Sequence, residues 1–166
     1  MTIIYNETAE FAYDFKKLLK KFQSLTEDLE VVKQYDIELF HCQKIDRHGI
    51  FEIENTENNE NLQFFKIKKF ACKALKGRGS KSGIRVIYAF HCQSYKVDFI
   101  EIYFKGEKEN EDRKRIKNYL KNFERRANFV GTNFVGVQSE RRRGGASVSF
   151  KEGSRIFKQR APNWTS

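Results

Sequence analysis

The sequence predicts an α+β domain in which an N-terminal helical hairpin packs on a mainly antiparallel sheet of about four strands, followed by a C-terminal helix. Three observations predict it. Apolar residues recur at helical spacing between Phe11 and Val32, three strand-like segments separated by polar turns lie between Leu62 and Phe104, and helical spacing returns from Glu107. At 166 residues the chain has room for one such domain, placed at residues 1–125, and a basic Gly/Arg-rich extension at 126–166.

Thr2 to Tyr5 reads as a first strand, with Asn6 as the cap of the helix that follows. Phe11, Phe15, Leu18 and Phe22 form one face of that helix, and Lys16, Lys17, Lys20 and Lys21 form a solvated opposite face. Ser24 and Glu27 match a capping box that starts a second helix, whose apolar stripe is Leu25, Leu29 and Val32. The short connection requires the two helices to fold back on each other. Ile50 to Ile53 hints at a strand, and Glu54 to Asn61 is a polar turn or loop. Strands are expected at Leu62 to Cys72, Gly83 to Cys92 and Lys96 to Phe104, the last two as an antiparallel hairpin. Glu107 to Arg125 is helical, with Ile116, Leu120 and Phe123 on one face, and the helices are expected on one side of the sheet. From Arg126 onward the expectation is a flexible basic arm, with a hairpin from Phe134 to Phe150 as the alternative.

Hydrophobic residues make up 39% of the chain and aromatic residues 14%, which excludes wholesale disorder. No run approaches the roughly 18 apolar residues of a membrane span, and Met1 to Glu7 lacks the features of a signal peptide, so the expected location is the cytoplasm. Cys42, Cys72 and Cys92 do not form a CxxC pair, and reduced thiols are expected. His41-Cys42-Gln43 and His91-Cys92-Gln93 repeat a tripeptide, but at spacings foreign to zinc sites; no metal and no cofactor are expected. Net charge is +10, of which residues 126–166 carry +6. Between Glu60 and Asp98 there is no acid, while Lys66, Lys68, Lys69, Lys73, Lys76, Arg78, Lys81, Arg85 and Lys96 stand among aromatic residues. Cations neutralise phosphates and aromatic faces stack bases, so this stretch points to RNA. The plain alternative is a solvated basic face.

At Phe65-Lys66-Ile67-Lys68 and at Gly83-Ile84-Arg85-Val86-Ile87-Tyr88-Ala89-Phe90 the chain resembles the RelE/ParE superfamily of bacterial toxin–antitoxin toxins. The opening Phe11-x3-Phe15-Lys16-Lys17-Leu18-Leu19-Lys20-Lys21-Phe22 is similar to that family's helical hairpin, as is Ile100-Glu101-Ile102-Tyr103-Phe104-Lys105-Gly106-Glu107 to its last strand and helix start. The resemblance covers about residues 2–123. It implies a small fold similar to microbial ribonucleases, messenger-RNA cleavage in the ribosomal A site, inhibition of translation, and neutralisation by a cognate antitoxin protein.

Cleavage of this kind needs a group that accepts the 2′-hydroxyl proton, cations for the charge developing on phosphate, and an acid for the leaving 5′ oxygen. The resemblance assigns the first two roles to Lys66, Lys68 and Arg85. Residues two apart in a strand share a face, so Lys66 and Lys68 project together. A cluster of cations is expected to depress a lysine pKa toward that of a base. The family's cationic acid falls at Gly106, which leaves Lys105, or Tyr103, as the substitute; its terminal aromatic residue falls near Asp112, which cannot stack. His91 is a further candidate base. Lys69, Lys73, Lys76, Arg78, Lys81, Arg141, Arg142 and Arg143 are expected to hold the RNA backbone. A gyrase-poisoning ParE-like toxin and a non-catalytic RNA-binding module are the alternatives.

Overall fold

The computed structural model describes residues 2–54, 56, 58–77 and 79–134, with side chains followed through Ala127. The chain is α+β, and the five strands among the described residues form one sheet. In chain order the elements are β1 (Ile4–Glu7), α1 (Ala9–Leu19), α2 (Leu25–Val32), α3 (Glu38–Cys42), β2 (Ile50–Glu52), β3 (Leu62–Ile67), β4 (Ile84–His91), β5 (Lys96–Phe104) and α4 (Arg113–Phe134). The sheet order is β1-β5-β4-β3-β2, with β1 parallel to β5 and every other pair antiparallel.

Helix α1 starts at Thr8, whose backbone is extended and whose Oγ1 accepts the Phe11 N–H at 3.2 Å. The expected cap, Asn6, is instead a strand residue with its amide turned to Asp98. The capping box at Ser24 is also absent. The Ser24 hydroxyl donates to Asp28 at 2.6 Å and accepts the Ala74 N–H at 2.8 Å, while Asp28 accepts the Lys73 N–H at 3.1 Å. Both side chains are committed to pinning the loop after β3, which outweighs local capping. A π-helical turn, Lys33–Ile37, bends the chain between α2 and α3, and the Tyr5 hydroxyl donates to the Lys33 carbonyl at 3.0 Å.

The sheet has apolar cover on both faces, not one. Phe11, Leu18, Leu25, Leu29 and Val32 of the hairpin pack on Phe65, Ile67, Val86, Tyr88, Val97 and Phe99. On the opposite face Ile116 and Leu120 of α4 cover Leu62, Phe64, Ile87, Ala89 and Ile100. The strands are therefore buried on both sides, and β4 and β5 read as nearly continuous apolar runs. Such runs hide which face each residue takes.

Register on the α4 face is set by one irregularity. Ile87 pairs with Glu101 and Tyr88 with Phe99, so Ile100 is an extra residue in β5. This bulge places Ile100 and Glu101 consecutively on the α4 face. Strand β3 stops at Ile67, earlier than the sequence predicts, because Phe70 and Cys72 turn into the core as parts of a loop. Helix α4 begins at Arg113 and runs through position 126 to Phe134. The alternative hairpin from Phe134 to Phe150 and the remainder of the basic arm lie outside the described residues.

Candidate functional site

Three strands bring Lys66, Arg85 and Tyr103 to one end of the α4 face. Arg85 lies directly opposite Tyr103 across β4 and β5, and Lys66 lies between Phe51 and Ile87 across β2, β3 and β4. Directly opposed residues share a face. The Arg85 Nη1 donates to the Lys68 carbonyl at 2.6 Å and to the Ile84 carbonyl at 3.0 Å. Among the described residues no carboxylate pairs with Arg85, so its charge is held in place but not neutralised.

Lys66 differs in this respect. Its Nζ lies 2.6 Å from Glu111 Oε2, with side chains only 15% and 10% exposed. Burial, the largest influence, works against the charge, but the Glu111 carboxylate and the Tyr103 oxygen outweigh it and hold the ammonium above the usual lysine range. The expected depression by neighbouring cations is thus reversed, because folding brings in an acid 45 residues away. Lys68 stands exposed just past the end of β3, with its Nζ 4.1 Å from the Phe51 ring centroid. The Tyr103 ring lies 5.9 Å from Lys66 Nζ and 5.6 Å from Lys108 Nζ. Its hydroxyl is buried and makes no hydrogen bond among the described residues; Lys66 is near but not aligned with it.

The segment leading into α4 is anchored from below. Glu101, with a side chain 2% exposed, accepts from Lys108 Nζ through Oε1 and from the Asp112 N–H at 2.8 Å through Oε2. Asp112 in turn accepts the Lys114 N–H at 2.9 Å and caps α4. The position where the family pattern puts an aromatic residue is therefore a helix cap. Gly106 also has a packing reason: a Cβ there would lie 2.5 Å from the Phe104 ring, which packs on Phe22. Lys105 sits in the exposed turn after β5, its N–H bonded to the Gly83 carbonyl at 2.8 Å, and no side-chain contact joins it to Lys66 or Arg85.

At the other end of the same face is an open cleft of about 820 Å³. On its floor Asp98 accepts from Asn6 at 3.1 Å, from His91 at 3.1 Å, from Lys96 at 3.1 Å and from Tyr119; His91 and Tyr119 are 2.8 Å apart. Burial pushes the Asp98 carboxyl up, but these donors together hold it well below the usual carboxylate range. The network ties β1, β4 and β5 to α4. His91 is six residues from Arg85 on β4, about 20 Å at strand rise, and cannot act on a phosphate held by Arg85.

The histidines of the two repeated tripeptides lie on opposite faces of the sheet, whereas Cys42 and Cys92 both pack against the hairpin-side core. His41 is buried in the hairpin-side core, stacked on Phe90 and 2.9 Å from the Tyr88 hydroxyl, and burial lowers its pKa to about 3. No group of three His, Cys, Asp or Glu among the described residues could hold a metal. No described helix is long and apolar enough to cross a membrane.

The acid-free stretch is less unopposed than its sequence suggests. Lys66 has Glu111, Lys73 has Glu27 at 3.2 Å, and Lys96 has Asp98. Lys69, Lys76 and Lys81 are exposed around the loop between β3 and β4, whereas Arg78 and Arg141 to Arg143 lie outside the described residues. Sequence reasoning missed Glu101, Glu111 and Phe51. An acid inside the apolar run Ile100-Glu101-Ile102 was the one available signal for the first; nothing local marked the pairing of Glu111 with Lys66.

No protein-family model matches the chain, and neither does any curated protein. Among solved structures it is similar to a chain in the crystal structure of the archaeal RelE–RelB complex from Pyrococcus horikoshii OT3. The TM-score is 0.39 at 14% identity, over 64% of this chain and 98% of that one.

Proposed function

We propose that this chain is the toxin of a toxin–antitoxin pair, a metal-independent and ribosome-dependent messenger-RNA endoribonuclease that inhibits translation in the cytoplasm. The observation that carries the reading is the group at the end of the α4 face: Arg85 with no carboxylate partner, charged Lys66, and a buried Tyr103 hydroxyl with no acceptor. A phosphate bound there supplies the counter-charge that Arg85 lacks among the described residues. Arg85 and Lys66 then stabilise the charge that builds on the phosphate oxygens as the 2′ oxygen attacks. Lys68 and the Phe51 ring border the group on the β2 side, where a base can stack. Lys105 is proposed as the leaving-group acid on its place after β5, with solvent water as the alternative donor.

Lys69, Lys73, Lys76, Arg78 and Lys81, together with Arg141, Arg142 and Arg143, would contribute affinity for the RNA backbone rather than chemistry. The cognate antitoxin rests on the family resemblance in the sequence. Dependence on the ribosome follows from the sparseness of the site, which gains most from a scaffold that holds the RNA in line. Expression in a bacterial host should produce cuts within translated messages that vanish when translation of the message is blocked. Uncut messages with gyrase-linked DNA breaks would overturn the reading in favour of a ParE-like toxin. The Lys66–Glu111 ion pair favours a second reading, a non-catalytic RNA-binding module, whose mark is RNA retention with no cuts.

A further inference from the structure

If the reading above holds, the reaction still lacks a proton acceptor, and the geometry eliminates most candidates. Arg85 cannot accept a proton at neutral pH. Lys66 is held in its charged form by Glu111, and Lys68 lies past the end of β3 with its ammonium over the Phe51 ring rather than among the group. His91 is about 20 Å away along β4. Glu101 has both carboxylate oxygens engaged, by Lys108 and by the Asp112 N–H, and its side chain is 2% exposed. The carboxylate that remains in contact with the cationic group is Glu111.

We propose that Glu111 accepts the 2′-hydroxyl proton, and that Glu101 is a positioning residue that holds Glu111 there through the Asp112 amide. The chain of contacts runs from the sheet outward. The β5 bulge turns Glu101 to the α4 face, Glu101 fixes the backbone of Asp112, and the preceding residue places its carboxylate on Lys66. Lys66 has two tasks in this arrangement: it keeps Glu111 ionised and stands beside the site of the phosphate. In the step itself the 2′ O–H proton passes to Glu111 as the 2′ oxygen bonds to phosphorus. The bond from phosphorus to the 5′ oxygen breaks, that oxygen takes a proton from solvent water, and a 2′,3′-cyclic phosphate remains. Glu111 then returns its proton to solvent, so no proton is gained or lost overall.

The groups that set the titration of Glu111 are Lys66 from β3, Arg113 from α4 and its own backbone N–H, which together hold the carboxyl below its ordinary value against the upward push of burial. Tyr103 and Glu101 of β5 flank the pair. Activity should therefore have an acid limb below the ordinary glutamate range. The test uses the full chain, translating ribosomes and a reporter message, with single-turnover rates measured across pH. Glu111→Gln should lower the rate roughly 10²-fold or more and abolish the acid limb. Glu111→Asp, which keeps the charge that balances Lys66, should lose less and retain the limb. Formate should restore part of the rate to Glu111→Ala, an outcome that a purely structural carboxylate would not give. Glu101→Gln should reduce kcat with little change in KM. A folded Glu111→Gln that cuts within threefold of the wild type, or a folded Glu111→Ala that formate does not rescue, overturns the proposal and leaves the endoribonuclease reading standing. A wild type that cuts no message overturns both.

Discussion

The two ends of the α4 face hold similar side chains in opposite conditions. At the His91 end Asp98 gathers four donors from three strands and α4, and it leaves its neighbours no spare hydrogen-bonding demand. At the Lys66 end, among the described residues, the Arg85 guanidinium is bonded to backbone carbonyls alone and the Tyr103 hydroxyl has Lys66 nearby but no acceptor. The first end is a latch, because a saturated buried network fixes one arrangement. The second is suited to a ligand, because its unmet demand is removed only by binding. The open cleft described above lies at the latch, so the space and the availability of chemistry point to different places.

The sharpest way to break the comparison is to remove its centre. Asp98→Ala strands His91, Lys96 and Tyr119 and should cost about 3 kcal/mol of stability, read by chemical denaturation. If stability is unchanged, the latch does not exist. Arg85→Ala should act in the opposite manner, lowering cleavage roughly 10²-fold while stability moves by less than about 0.5 kcal/mol. An unfolded Arg85→Ala would make that end structural too.

Acid gives a graded test. The Asp98 carboxyl is depressed in the folded state, so its stabilising contribution is complete above its unfolded value of about 3.9 and is lost as pH falls from there toward the folded value. Asp98→Asn should flatten the fall in stability below pH 4, and by more than Glu111→Gln does. The smallest effects should differ in sign. Tyr119→Phe removes a donor from a satisfied carboxylate and should cost about 1 kcal/mol, whereas Tyr103→Phe deletes an unpaired buried hydroxyl and should be neutral or stabilising by up to about 1 kcal/mol. Equal shifts in melting temperature for the two variants would erase the distinction between the ends.

Apart from the π-helical turn and α3, the order of elements was legible in the sequence because it rests on periodicity, which local apolar spacing records. Phe11 to Phe22 and Ile116 to Phe123 needed no tertiary knowledge. The covering of both faces was not legible, since strands buried on two sides lose the alternation that would assign each residue to a face. Caps failed for a related reason: Ser24 and Asp28 are recruited by a loop almost fifty residues away, which no local pattern encodes. At the candidate site the cations could be read in advance because Lys66, Lys68 and Arg85 stand in recognisable strands. The acids that govern them could not, because a one-residue bulge places Glu101 and a contact across 45 residues places Glu111.

The parallel pairing of β1 with β5 also governs when the molecule can exist. Asn6 and Asp98 are 92 residues apart, so the strand that leaves the ribosome first waits for nearly the whole domain to be made before its partner arrives. Until then the apolar face of α1 has no completed sheet beneath it, and closure of so long a loop is slow. A nascent chain short of β5 has neither the Arg85–Tyr103 row nor the Glu101 carboxylate that anchors the segment carrying Glu111, so the candidate site is among the last parts of the domain to form.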